Sequence, residues 1–408
     1  MKTVLLNLIM GSSYGRGILR GIASYTHSHT PWILRNLVGD DPCLEGGIQT
    51  RIDGIIAHIS DARHARRLRR MFGLRTPIVD VGNLCRLRAV PAVHSDDHQV
   101  GRMAAEHFLE RGFRHLACYT YPIGWMSLER EAGFARRAAA VGIACHRYEW
   151  PHHRPYKRHP LMLDSGLRSW VADLPKPVGI LASNDSLAFE IMETCQLLGA
   201  RVPEEVAVLG VNNYTEVCDL ATPPLSSIEM NTERIGYEAA RLLDRFMAHR
   251  SLPKSPVLVA PTRVIMRQST DIVAVTDQRI AAAVRFIRHH AHEGIRVHDV
   301  LRAVPMARRT LETGFRQTFG RSPLAEIRRM RIERAKDLLE RTDLPVEQVA
   351  DRCGFKDVKR LYVAFRPLTG MTPARWRRLF RLGRTPPPPR RPGKKTGKRA
   401  RATRAGRE

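Results

Sequence analysis

Two stretches near the end of this 408-residue chain repeat one plan. In the first, residues 297–304 have the spacing of a short helix, Pro305 and Met306 make a turn, and 307–319 have the spacing of a longer helix. In the second, 346–353 form the short helix, Gly354 and Phe355 the turn, and Asp357 to about Arg366 the longer helix. A helix-turn-helix needs such a turn so that its second helix can enter a major groove. Helical hairpins are common, so one match says little. Two in tandem, joined by a helix over 324–341 in a net basic segment, point to duplex DNA. The side chains expected to meet it are Arg308, Arg309, Glu312 and Arg316 on the first long helix, and Lys356, Lys359 and Arg360 at the second. Arginine can pair bidentately with guanine, which contributes about 1–3 kcal/mol of discrimination. Most other contacts of this kind go to phosphate and only position the protein. Leu311, Phe315, Phe319, Phe355, Leu361, Phe365 and Trp376 recur on the other face and are read as core.

A second segment invites a different chemistry. GSSYGRGILRG, residues 11–21, follows a strand pattern and opens a helix, where backbone N–H groups can approach an anion. Gly15 and Gly17 fit the start of a G-x-G-x-x-G fingerprint, but Arg20 stands in the third place and the next glycine is Gly21. With Asp40 as a ribose partner, this is the alternative reading: a nicotinamide-dinucleotide-binding oxidoreductase with a basic C-terminal extension. The spacing is wrong for it, and no hydride-transfer constellation stands beside it. No G-x-S-x-G, P-loop or paired-carboxylate motif stands out. The chain is therefore read as a non-enzyme with no catalytic residue and no cofactor. His289, His290 and His292 lack a carboxylate or thiol to complete a metal set, and His27, His29, His152 and His153 read the same way. The seven cysteines are scattered with no C-x-x-C pair, which argues against a disulfide framework or a zinc knuckle and for a reducing cytoplasm.

The wider chain must hold these pieces in place. Its length suits two or three domains at roughly 100–200 residues each, and its 43% hydrophobic content is ordinary for a globular protein. No apolar run approaches the ~20 residues of a membrane helix, so no membrane association is expected. The opening apolar stretch, Val4 to Met10, is read as a first strand and not a signal peptide. Residues 279–408 carry 34 basic and 12 acidic residues, net +22, against 33 and 28, net +5, over the first 278. Such an asymmetric footprint suits a polyanion. Residues 1–270 alternate strand-like runs (KTVLLNLIM, WILRNLV, IDGIIAHIS, TPIVDVG, HLACYTY, VGILAS, VAVLGV) with helical stretches such as 100–112 and 186–200. That rhythm means parallel sheets covered by helices, in two α/β lobes, with ligands beyond the carboxyl ends of the strands. A linker over 271–278 leads to an all-α domain, 279–384. Residues 385–408, with four consecutive prolines and nine basic residues, are expected to be a disordered basic tail.

Several motifs carry a family resemblance. AxxxGFxxxxxLYxxFRxxxGxTPxxWR, from Ala350 to Arg377, together with RTLETGFRQTFGRSP, is similar to the AraC-type regulator domain over about 278–380. Pro305 and Met306 replace the usual small polar turn residues, and Pro367 is expected to end or kink the second long helix. Over 1–270, SNDSLA and PPLSSI resemble the ligand-binding core of LacI-type sugar-responsive regulators, itself similar to periplasmic sugar-binding proteins. LacI-type readers stand at the N-terminus, whereas here the sensor-like part comes first; that order resembles the bacterial xylose operon regulators. The resemblance implies a two-lobed periplasmic-binding-protein-like domain followed by the tandem helix-turn-helix domain. It also implies an activator that binds promoter DNA as a homodimer, contacts RNA polymerase and responds to xylose or a related sugar. Carried over by position, sugar contacts fall on Tyr14, Arg16, Arg130, Asn184, Asp185 and Asn212. Many family members have Asp where Asn212 stands. Asp96 and Asp97 are read as a cap for the helix that follows.

Overall fold

The computed structural model describes residues 1–29, 31–36, 51–87, 90–121, 124–150, 165–249, 253, 255–272, 274 and 277–381. Asp40, Cys43, His152, His153 and the tail 385–408 lie outside the described residues. The chain separates into two compact units. One is Met1–Arg285 with Met306–Ser322; the other is Phe286–Pro305 with the residues from Pro323 on.

In the first unit, β1 (Lys2–Asn7), β2 (Trp32–Asn36), β3 (Gly54–Ala57) and β4 (Ile78–Asp80) form a parallel sheet in the order β2–β1–β3–β4. Strands covered on both faces read as near-continuous apolar runs, and β3 and β4 are buried along their whole length. A second sheet has the order β12–β10–β9–β8–β6–β7, from β6 (His115–Tyr119), β7 (Cys145–Arg147), β8 (Val178–Ala182), β9 (Val206–Val211), β10 (Ser226–Glu229) and β12 (Arg263–Ile265). Only β12 runs antiparallel in it. A short parallel pair, β5 (Val93–Ser95) with β11 (Val257–Val259), extends the first lobe through a bridge from Asp80 to Ala92.

The chain crosses between the lobes three times. β5 leads into α3 (Asp97–Leu109), which packs on α4 (Trp125–Ala139) over the second sheet. β10 leads into α8 (Thr232–Met247), which returns to pack on α1 (Ser13–Ser28) of the first lobe. β11 then leads to β12. The remaining helices of the lobes are α2 (Ala62–Phe72), α5 (Ser165–Asp173), α6 (Asp185–Leu198) and α7 (Thr215–Leu220). This is a two-lobed α/β architecture with its carboxyl strand ends gathered near the crossings.

Glycines permit the two tightest helix pairs. A Cβ on Gly101 of α3 would lie 1.8 Å from the Arg130 carbonyl oxygen, and one on Gly133 of α4 2.0 Å from that of His98. A Cβ on Gly17 would meet Thr232 Oγ1 at 1.9 Å, and one on Gly21 the Glu233 carbonyl oxygen at 1.9 Å. Of the glycines that resemble a dinucleotide fingerprint, Gly17 and the following Gly21 therefore serve α1–α8 packing, while Gly15 leaves room for the Ile9 carbonyl before α1. Overpacking costs about 1–3 kcal/mol, and backbone cannot rotate away as a side chain can. Gly101→Ala is expected to lose about 2–3 kcal/mol of stability in urea unfolding at constant m, because α3 and α4 must separate.

The C-terminal helices are α9 (Gln278–His290), α10 (Val297–Ala303), α11 (Arg308–Phe319), α12 (Pro323–Arg341), α13 (Val346–Arg352), α14 (Val358–Thr369) and α15 (Pro373–Arg381). Left-handed Gly320 and Gly370 cap α11 and α14. α11 belongs to the first unit, where Arg114 donates to the Gln317 and Thr318 carbonyls at 2.9 Å. In the second unit, Ile332, Ala335, Leu338 and Leu339 of α12 close over Val349 and Ala350 of α13 and Leu361 and Phe365 of α14, with Trp376 against them. Gly354 turns between α13 and α14 at φ +72°, where a Cβ would also strike the Gly294 nitrogen at 2.6 Å.

Pro367 neither ends nor breaks α14, contrary to expectation: the helix runs on to Thr369. The proline falls in the last turn and removes a single N–H. That turn is held instead by the Gly370 N–H on the Arg366 carbonyl at 2.8 Å and by buried Thr369 Oγ1 donating to the Phe365 carbonyl at 2.8 Å.

Candidate functional site

Arg130 is brought to the lobe crossing by α4 and is 1% exposed. Its Nε donates to Asp97 Oδ1 at 2.8 Å and its Nη1 to the Ser183 carbonyl. Asp97 Oδ2 accepts from Asn83 Nδ2 at 2.7 Å and from Ser95 Oγ at 2.8 Å. The pair thus ties α3 and the ends of β4 and β5 to α4 and the end of β8. Asp97 is not the cap that the sequence suggests. The cap is Asp96, which accepts from the Gln99 N–H at 3.0 Å, while Asp97 turns inward as the acceptor for three donors. Arg130 is buried at the lobe crossing against Asp97 and the Ser183 carbonyl.

Asp185 opens α6 and is also buried. It accepts from Ser227 Oγ and from the Tyr214 N–H at 2.7 Å. A Cβ on Gly210 would lie 2.2 Å from its Oδ1, so the glycine leaves room for the carboxylate. Burial pushes the Asp185 carboxyl up to about 7, although Ser227, the Tyr214 amide, Arg130 and Arg267 pull it down. Between pH 4 and 7 the unfolded chain has released this proton and the folded chain has not. Folding stability from this group therefore falls as pH rises through that window and is level above it.

The remaining expected contacts are placed as follows. Asn184 is the N-cap of α6, its Oδ1 accepting from the Leu187 N–H at 2.9 Å. Asn212 follows β9 at φ +105°, and its Oδ1 is buried without a hydrogen-bond partner. Ser183 Oγ, at the end of the adjacent β8, is likewise buried and unpartnered. Tyr14 of α1 donates to the Val81 carbonyl at 3.4 Å; burial and the Asp97 charge raise its phenol above the ordinary range. Arg16 is half-buried, 3.5 Å from Glu216, with its guanidinium 5.9 Å from the Tyr214 ring centroid. Asn184, Asp185 and Asn212 thus follow the carboxyl ends of β8 and β9, Arg130 reaches the end of β8 from α4, Tyr14 lies in the first turn of α1, and Arg16 stands two residues beyond Tyr14.

Sequence reasoning missed the groups that join the lobes. The Trp125 N–H donates to the Leu84 carbonyl at 3.1 Å, and the Met126 N–H to that of Asn83 at 3.0 Å. Arg86 reaches Glu129 at 3.2 Å and lies 3.7 Å from the Trp125 ring centroid. Beneath them, Asp80 accepts from His94 Nε2 at 2.8 Å and from the Ile59 and Gly82 amides. Burial holds the neighbouring His58 ring neutral at physiological pH, its acidity pushed to about 4. Two unpartnered buried acceptors beside a carboxylate are groups that a polyhydroxyl ligand could satisfy.

On the helical side, Arg308, Arg309 and Arg316 of α11 are exposed and Glu312 is half-buried, with Arg308 Nε 2.9 Å from Glu312. Lys356, Lys359 and Arg360 are exposed at the start of α14. Asp357 caps α14 by accepting from the Arg360 N–H at 2.7 Å. Leu311, Phe315, Phe355, Leu361 and Phe365 are buried, as expected of core. Among the described residues, no group of three or more His, Cys, Asp or Glu could hold a metal, and no helix is long and apolar enough to cross a membrane.

The fold and these helices define a class: a regulator that joins a binding-protein-like sensor to a helix-turn-helix reader. A periplasmic binding protein-like domain matches residues 105–270 and a helix-turn-helix domain matches 300–379. The chain belongs to the family of xylose operon regulatory proteins. It is 30% identical to the Escherichia coli (strain K12) member over 400 residues, covering 92% of this chain and 96% of that protein. It is 29% identical to the Haemophilus influenzae member over 375 residues, covering 89% and 95%. A solved structure of the xylose-binding transcription activator xylR matches with a TM-score of 0.57 at 28% identity, over 92% of this chain and 98% of that one. The chain is thus a transcription regulator with a DNA-binding domain, and the oxidoreductase alternative finds no support among these relatives.

Proposed function

We propose that residues 1–270 bind a small sugar, xylose or a related pentose, between their lobes. The linker 271–278 passes that state to the reader 279–384, which binds promoter DNA as a cytoplasmic homodimer. The protein activates a carbohydrate-utilisation operon by presenting RNA polymerase with a bound dimer, and it converts no substrate. The observation that carries this reading is the polar edge of the second lobe: unpartnered Ser183 Oγ and Asn212 Oδ1 beside buried Asp185. Sugar hydroxyls both donate and accept, so they suit such a mixed set. Relatives bear names that point the same way, a xylose-binding activator among them. A ligand shifts the regulator only by its differential affinity for two states. Asp97, where β5 crosses into α3, joins Arg130 of α4 to Asn83 and Ser95 of the first lobe, which supports a role for this cluster in registering that difference.

A thermal-shift panel of pentoses and hexoses on the full chain tests this. At a hundredfold excess over Kd, a true effector stabilises by about 2.7 kcal/mol. A flat panel would remove the sugar reading. The Asp185 acidity adds a pH signature. Ionised carboxylate is the better acceptor, and with its midpoint at about 7 its ionised fraction rises about 10-fold between pH 6 and pH 8. Sugar affinity is expected to rise by about that factor and to become flat in Asp185→Asn, as followed by calorimetric titration.

A further inference from the structure

We infer that Val363 is a base-reading residue that packs on the C5 methyl group of a thymine. The inference rests on the reading of α14 as a DNA-binding helix. α14 buries Leu361, Phe365 and Thr369 along one stripe. Lys359, Val363 and Arg366, four and three residues apart, form the opposite stripe. All three are exposed, and Val363 is exposed to 70%. Among the described residues, neither Lys359 nor Arg366 forms an ion pair with a carboxylate.

A β-branched apolar side chain has no role in holding this helix. It lowers helix propensity slightly and covers nothing in the core. Its surroundings decide what it meets. A protein partner would favour a depleted-charge centre, whereas Val363 sits between two cations on its own stripe. A duplex groove offers both features at once: phosphates on either wall for Lys359 and Arg366, and the thymine methyl as the apolar group of the major-groove floor. Val363 is also the sixth residue of α14, in the first half of the helix, the part of a recognition helix that reaches base edges. Sequence reasoning passed over it because it looked for cations.

The experiment begins with selection of binding sites from randomised duplexes by the full chain. Failure to enrich any sequence would overturn the DNA reading itself and this inference with it. With an enriched site in hand, each thymine is replaced in turn by uracil, which removes the methyl group alone. At fixed salt, one thymine per half-site is expected to weaken binding by about 4-fold, the worth of one buried methyl group. In Val363→Ala the same replacement should change affinity by less than about 1.5-fold, with the helix content unaltered because the side chain is exposed. Two results would overturn the inference while leaving DNA binding intact. One is a wild type indifferent to every thymine-to-uracil change. The other is an equal loss at the same thymine in wild type and variant.

Discussion

Arg130→Met is expected to destabilise the first unit by about 3–5 kcal/mol, more than Gly101→Ala. The side chain is buried, and its loss strands Asp97 as an uncompensated carboxylate. Asn83 and Ser95 can still donate to Asp97, so collapse need not be complete, but neutral donors do not replace a guanidinium. Arg130→Lys should recover little. A point charge on a flexible stem cannot reach Asp97 Oδ1 and the Ser183 carbonyl together. Arg130→Met combined with Asp97→Asn should recover part of the loss, since no charge is then left buried. Urea unfolding followed by tryptophan fluorescence reads this, four of the five tryptophans lying in residues 1–270. A cost below about 1 kcal/mol would place Arg130 outside the structural frame.

The second large effect concerns DNA. Replacing Arg316, Lys356, Lys359 and Arg360 by Ala should weaken duplex binding on the order of 10,000-fold, at about 1.5 kcal/mol for each charged contact. If all four meet phosphate, the slope of log affinity against log salt should become shallower by between about three and four, at about 0.9 for each contact. The fold should be untouched. All four side chains are exposed, and the Asp357 cap uses the Arg360 backbone N–H, which the substitution keeps. A slope change below about one would mean that these cations face solvent in the complex.

How far the residues disclosed the molecule follows from what buries them. The strands β1, β3, β4, β6, β8 and β9 were legible because buried parallel strands are apolar runs. The expectation passed over β5, β7, β10, β11 and β12. β5 reads Val-His-Ser and β10 Ser-Ser-Ile-Glu. Their polar residues are buried for hydrogen bonding: His94 to Asp80, Ser95 to Asp97, Ser227 to Asp185. Hydrophobic periodicity cannot register a strand whose inward groups are polar. Asp97 was hidden for a related reason. Beside Asp96 it looks like half of a cap, and nothing in the local pattern announces an arginine 33 positions away. That partnership exists because the chain crosses lobes between β5 and α3. The tandem turns, in contrast, are local, and so their helices are read within a residue of the observed bounds, except for the end of α14, which runs three residues past Arg366.

The most direct test is the affinity of the full chain for a selected duplex, measured at one salt concentration with and without saturating D-xylose, alongside Asn212→Ala and Asp185→Asn. A sugar-responsive regulator should bind the duplex with at least about 5-fold different Kd in the two conditions, the lower end of ordinary coupling energies. Both variants should keep sugar-free DNA affinity and show a smaller difference at the D-xylose concentration that saturates the unsubstituted chain. Superimposable isotherms with D-xylose and with related pentoses, from a protein that binds the duplex tightly, would contradict the account.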